Sequence, residues 1–194
     1  QIQGLVETAR GHARNRSDVP RCQFHTPQRQ QFQDKPSVLT ELSEDALEHF
    51  SSVLLERSFP AAIRRVREHR AAGHRTLLIT GALDVVIEPL RPLFDDVVCS
   101  RLGSATDRDG NQVLTGQLDA VPPTAEARAR ILADHCARNG LSLEDSVAYA
   151  DSSSDLPMLE AVGFPVAVNP EPRLASIARK RGWLIEDFRA AAGF

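Results

Sequence analysis

Two aspartates bracket three serines in the stretch Tyr149-Ala150-Asp151-Ser152-Ser153-Ser154-Asp155-Leu156-Pro157-Met158-Leu159-Glu160. Paired carboxylates separated by small hydroxyl residues are hard oxygen donors. That set suits Mg²⁺, which takes one or two carboxylates and completes its shell with water and substrate phosphate. The apolar run at 147–150 reads as a short buried strand, and Asp155 as the N-cap of an apolar helix with Pro157 in its first turn. Both carboxylates then lie in the loop at the C-terminal end of a strand, where open α/β sheets bind their ligands. The same letters equally describe a plain strand–turn–helix connection in which Asp155 only caps.

Two further positions could handle an anion. Thr80-Gly81 follows the apolar run 76–79, and a hydroxyl beside a flexible backbone N–H can donate to a phosphoryl oxygen. A strand stop with a permissive glycine explains the same pair. Arg128 falls in the first turn of a helix that follows Pro122-Pro123, a sensible anchor for a phosphoryl group, though a solvated surface arginine has the same spacing. Asp107-Arg108-Asp109-Gly110-Asn111 also spaces two aspartates closely. It follows no buried strand, and Leu118 stands where a calcium loop needs its bidentate Glu, so a hairpin turn accounts for it.

The elements that must position these residues alternate regularly from Phe59 onward. Helices are expected at 60–72, 84–93 (broken near Pro89), 122–139, 155–162 and 172–181. Strands are expected at 76–80, 96–100, 147–150, 165–168 and 183–185, with a hairpin over 102–118 turning at Asp109-Gly110-Asn111. Such alternation implies an α/β fold: a parallel sheet with helices on both faces. The first forty residues are dense in Gln and Arg, with Leu5, Val6 and Ala9 spaced for one face of a short helix. A second helix is expected over 43–56, capped by Ser43, with Ala46, Leu47, Phe50, Val53 and Leu54 along one side.

Composition narrows the partners. A net charge of −3 gives no electrostatic case for nucleic acid, and no apolar run reaches the ~18 residues of a membrane span. Cys22, Cys99 and Cys136 lack metal or disulfide spacing, so a reduced, cytoplasmic setting is the expectation. His69 and His74 flank a turn and read as surface residues.

Taken in chain order, Ile79-Thr80-Gly81, then Pro122-Pro123-Thr124-Ala125-Glu126-Ala127-Arg128, then Tyr149 to Leu159, resembles the haloacid dehalogenase (HAD) superfamily. The subgroup it resembles most is that of phosphoserine-phosphatase-like hydrolases. Gly163-Phe164-Pro165-Val166-Ala167-Val168-Asn169-Pro170 and Arg181-Gly182-Trp183 extend the likeness. The resemblance implies a three-layer Rossmann-like core over 57–194 and a partial helical cap over 1–56. It also implies a Mg²⁺-dependent phosphatase acting on a small phosphorylated metabolite through an aspartyl-phosphate. Asp151 and Asp155 would hold the metal, and Thr80, Gly81 and Arg128 the phosphoryl group. Phosphoryl transfer by such a set rests on positioning and charge neutralisation.

Two departures stand out. The family's basic residue is usually Lys, and Arg128 replaces that compact ammonium with a planar fork. The first motif, an apolar strand ending in the nucleophilic Asp, has no counterpart between Gln1 and Phe59. The expectation is a core lacking its first strand and a chain inactive by itself. The chain also resembles HAD domains fused to lipid-metabolising reductases or acyltransferases, which implies a further domain upstream. The alternative reading is a non-catalytic HAD-like binding or interaction module of a larger protein.

Overall fold

Long apolar runs without alternation are the mark of strands covered on both faces, and residues 76–80 are all buried. The computed structural model describes residues 5–8, 53, 58–106, 108, 110 and 112–188. In chain order the elements are β1 (Leu5–Thr8), α1 (Pro60–Ala71), β2 (Arg75–Leu83), α2 (Asp84–Ile87) and a 3₁₀ turn (Glu88–Leu93). Then come β3 (Asp96–Ser100), β4 (Leu102–Thr106), β5 (Gln112–Leu118), α3 (Ala125–Asn139) and β6 (Ser146–Ala150). A second 3₁₀ turn (Ser153–Asp155), α4 (Leu156–Glu160), β7 (Phe164–Val168), α5 (Pro172–Arg181) and β8 (Leu184–Glu186) complete the series.

One sheet runs β3-β2-β1-β6-β7-β8, and β4 with β5 forms a separate hairpin. The pairs β2/β3, β6/β7 and β7/β8 are parallel. Leu77, Ile79, Ala148, Ala150 and Ala167 pack on one face against Leu132 and Cys136 of α3, Met158 and Leu159 of α4, and Leu174 and Ala178 of α5. Leu78, Tyr149 and Val166 point the other way, under Val66 of α1, Ile87 of α2, Leu90 and Phe94. This strand-by-strand alternation of faces gives the expected three layers. Helix boundaries follow their punctuation: Pro60 and Pro172 open α1 and α5, and left-handed glycines close α3 at Gly140 (φ 64°) and α5 at Gly182 (φ 68°).

Several expectations need correction. Leu5–Thr8 is a strand, not the helical face that Leu5, Val6 and Ala9 suggest; Ala9 lies outside the described residues. β1 fills the lane between β2 and β6 and runs antiparallel to both, with Leu5 opposite Leu78 and Tyr149, and Thr8 opposite Arg75 and Ser146. An empty lane would leave two rows of backbone donors and acceptors unmet, and four extended residues satisfy both rows at once. Helical spacing over so short a segment cannot compete with that.

β2 also continues through Leu83, so Thr80-Gly81 is not its end; its register with β3 breaks between Ile79 and Leu83. The irregularity is held by Ser100 Oγ donating to Gly81 O (2.9 Å) and Ala82 N–H donating to Thr80 Oγ1 (3.1 Å). Pro122-Pro123 precedes α3, whose N-cap is Thr124, and α4 stops at Glu160. The 84–93 helix does break, at Ile87, into the 3₁₀ turn that carries Pro89.

His69 and His74 are half-buried instead of free on the surface. Their Nδ1 atoms are 2.8 Å apart, and His69 Nε2 is 2.9 Å from the Tyr149 hydroxyl. The expected 43–56 helix lies outside the described residues except for Val53, which is helical, and so does most of the expected cap over 1–56. Gly110 takes φ 88° in the β4–β5 turn, while Asp107, Asp109 and Asn111 also fall outside.

Candidate metal and phosphate site

β6 ends in the buried residues Ala148, Tyr149 and Ala150, and the chain then turns at Asp151. Ser152 closes the turn: its Oγ accepts from Ser154 N–H (3.2 Å) and its carbonyl from Asp155 N–H (3.1 Å). One 3₁₀ turn therefore carries Asp155 inward, where it is 0% exposed. Although Asp155 occupies the N-cap position of α4, its side chain makes no capping bond. It instead accepts, through Oδ1, from Nη1 of Arg128. Arg128 is 6% exposed, which rules out a solvated surface role. The first turn of α3, where Arg128 N–H meets Thr124 O at 2.8 Å, aims it at the 151–155 turn.

Asp151 Oδ1 and Asp155 Oδ2 are buried and have no hydrogen-bond partner. Burial pushes the Asp151 carboxyl above its ordinary range, and the neighbouring Asp155 and Glu171 carboxylates add to that push. Burial also raises Asp155, and the Arg128 guanidinium pulls the other way without cancelling it. Buried carboxylate oxygens that repel one another and lack donors fit a cation better than they fit an empty interior. No group of three or more candidate ligands occurs among the described residues. Two carboxylates are what an ion keeping waters and substrate oxygens in its shell requires, so the donor set fits Mg²⁺.

Thr80 and Gly81 stand apart from this cluster. Leu5 is opposite both Leu78 and Tyr149, so Thr80 and Asp151 each lie two residues beyond the same cross-strand row. They are level with each other and separated by two strand spacings, about 10 Å, with the β1 lane between them. The Thr80 hydroxyl accepts from Ala82 N–H and keeps its own proton to donate. Apart from its own chain neighbours, no atom lies within 4 Å of where a Cβ on Gly81 would stand. The structure thus gathers Asp151, Asp155 and Arg128 and sets Thr80 and Gly81 across the lane.

Two features escaped the sequence reading. Glu171, at the start of α5, accepts from Ser153 N–H (2.8 Å) and from Ser153 Oγ. Its one sequence signal is Pro172 at the first helical position, which marks residue 171 as a cap although Glu is a poor one. The other is an apolar cavity of about 210 Å³ between α1, the first 3₁₀ turn and the sheet, with Asp151 and Asn169 among its lining residues. Its walls come from elements far apart in sequence.

A model of the haloacid dehalogenase-like hydrolase family matches residues 31–160. The chain belongs to that family. Phosphoserine phosphatase SerB1 of Mycobacterium tuberculosis is 42% identical over 118 residues, covering 60% of this chain and 32% of that protein. The chain thus spans about a third of that relative's length. Histidinol-phosphatase of Neisseria meningitidis is 29% identical over 152 residues, covering 77% of this chain and 68% of that protein. A solved structure described as a protein with unknown function from Bordetella pertussis Tohama I matches with a TM-score of 0.60 and 30% identity. It covers 75% of this chain and 68% of that one.

Proposed function

We propose that this chain forms the Mg²⁺- and phosphate-holding part of a HAD-type phosphomonoester hydrolase for a small phosphorylated metabolite. The observation that carries this reading is the pair of unpartnered buried oxygens, Asp151 Oδ1 and Asp155 Oδ2, beside the guanidinium of Arg128. Relatives named for phosphoserine and histidinol phosphate support a small phosphomonoester as the substrate class. When bound, Mg²⁺ supplies concentrated positive charge to phosphoryl oxygens.

The chain's own residues do the rest. Arg128 fixes Asp155 through Oδ1 and leaves Oδ2 for the ion. Thr80 donates its hydroxyl proton to a phosphoryl oxygen, and Gly81, without a side chain, lets that group approach the backbone. The free thiols Cys99 and Cys136 support a reducing, cytoplasmic setting. No described helix is long and apolar enough to cross a membrane.

An aspartyl-phosphate route needs a carboxylate between Thr80 and Asp151. The lane is taken by β1, whose one acid, Glu7, is level with Thr76 and Val147, at the far end of the lane from Thr80 and Asp151, and residues 1–6 hold no Asp or Glu. The chain by itself therefore binds without turnover. The same occupancy favours the second reading, a non-catalytic HAD-like module of a larger protein.

The test is calorimetry with Mg²⁺ and inorganic phosphate, paired with hydrolysis of p-nitrophenyl phosphate. The expected result is Mg²⁺-dependent phosphate binding that Asp151→Asn abolishes, with no hydrolysis above buffer. Phosphate binding indifferent to Mg²⁺ or to Asp151→Asn overturns the site. Mg²⁺-dependent hydrolysis overturns the inactive lane.

A further inference from the structure

We infer that Glu171 is a positioning residue that locks the 151–155 turn in its metal-ready shape; the inference rests on the Mg²⁺ site proposed above. Glu171 grips the turn at two points. Its backbone N–H donates to Asp151 O (2.9 Å), and its Oε1 accepts from Ser153 N–H (2.8 Å) and from Ser153 Oγ. The peptides on either side of Ser152 are thereby tied to one residue of another segment.

That segment is itself anchored. Ala175 N–H bonds Glu171 O (2.9 Å) in the first turn of α5. Two residues upstream, Asn169 adopts φ 43°, donates its N–H to Glu186 O (2.9 Å) and accepts Phe188 N–H at Oδ1 (2.9 Å). The grip is thus transmitted from β8 and α5.

Helix capping would explain a polar side chain at position 171, but the Glu171 side chain makes no bond to its own helix. The carboxylate turns instead to a loop eighteen residues away in sequence. The turn needs such a restraint, because Asp151 and Asp155 repel each other and neither unpartnered oxygen has a donor to hold it. Arg128 already holds the Asp155 carboxylate through Oδ1, and Glu171 resists the relaxation that would swing the Asp151 carboxylate out to water. Its own charge is exposed and screened, so its contribution comes from accepted hydrogen bonds.

Two variants separate these roles. Glu171→Ala removes the acceptor, and Glu171→Gln keeps an acceptor oxygen while losing the charge. Hydrogen exchange at the Ser153 amide in EDTA reads the clamp without metal, and calorimetry with Mg²⁺ reads its consequence. Glu171→Ala is expected to speed Ser153 exchange and weaken Mg²⁺ binding about tenfold, a typical loss for an outer-sphere partner. Glu171→Gln should recover most of both, and the metal-free melting temperature should stay at the wild-type value in each variant. Unchanged Ser153 exchange in Glu171→Ala, or unchanged Mg²⁺ affinity while the wild type binds, overturns the positioning role. Absence of Mg²⁺ binding by the wild type overturns the metal site itself.

Discussion

Arg128 and Asp155 form a buried ion pair that ties the first turn of α3 to the turn after β6, with the two side chains 7% and 0% exposed. Removing one partner strands the other charge in the interior. Arg128→Met is expected to destabilise the protein by about 3–5 kcal/mol, whereas the double variant Arg128→Met/Asp155→Leu should regain most of that. Urea unfolding of the two variants decides it. Equal losses in both would mean that the pair is not what the substitution breaks.

Asp151 is the converse case, a residue whose ionisation opposes the metal-free fold. Burial and two neighbouring carboxylates raise its proton affinity. Asp151→Asn should stabilise the protein in EDTA by about 1 kcal/mol, the scale commonly regained when a strained functional group is neutralised. Thermal melts in EDTA and in excess Mg²⁺ test this, the expected order reversing between the two. A variant that melts below wild type in EDTA contradicts the assignment.

His135 supplies a pH dependence away from the site. It is 5% exposed on α3, and burial pushes its imidazole below the ordinary value of 6.5. Asp96, 3.8 Å away, pulls it up, while Arg75 and Arg138 push it down. The unfolded chain therefore binds a proton at His135 more readily than the native chain does. Its contribution to stability is present above about pH 6.5 and is lost as pH falls toward the depressed native value. His135→Gln should flatten that part of the profile of melting temperature against pH; an unchanged profile removes His135 as the source.

Gly163, just before β7, sits against the backbone of the 143–144 loop. A Cβ there would lie 1.8 Å from Glu144 O, and Gly163 N–H already bonds Leu143 O at 2.9 Å. Gly163→Ala must push the two segments apart and is expected to cost about 3 kcal/mol. The denaturant midpoint measures it, and a near-neutral result would mean that the 143–144 loop yields freely.

The α/β alternation from α1 to β8 could be read from letters alone because its signals are local. Strands buried on both faces are unbroken apolar runs, as at Leu77, Leu78 and Ile79. Helices announce themselves by Pro at the start and Gly at the end, as at Pro172 and Gly182. Candidates for a site could be picked out for the same reason, since a carboxylate after a strand or a hydroxyl before a glycine is a short-range pattern. What those residues do was not. Asp155 could cap or bind, and Arg128 could face water or the interior. Each choice depended on α3 packing against the turn after β6, a contact between segments 27 residues apart. Glu171 shows the same limit, because its partner Ser153 comes close only once β7 has paired with β6.

β1 marks where local reading stops. Four residues in a polar, Gln- and Arg-rich stretch carry too little pattern to specify a strand, and their spacing suited a helix. The sequence determined the layers and the chemistry on offer. The tertiary structure decided that Leu5–Thr8 would occupy the lane between β2 and β6, because two open strand edges demand backbone hydrogen bonds whatever side chains supply them.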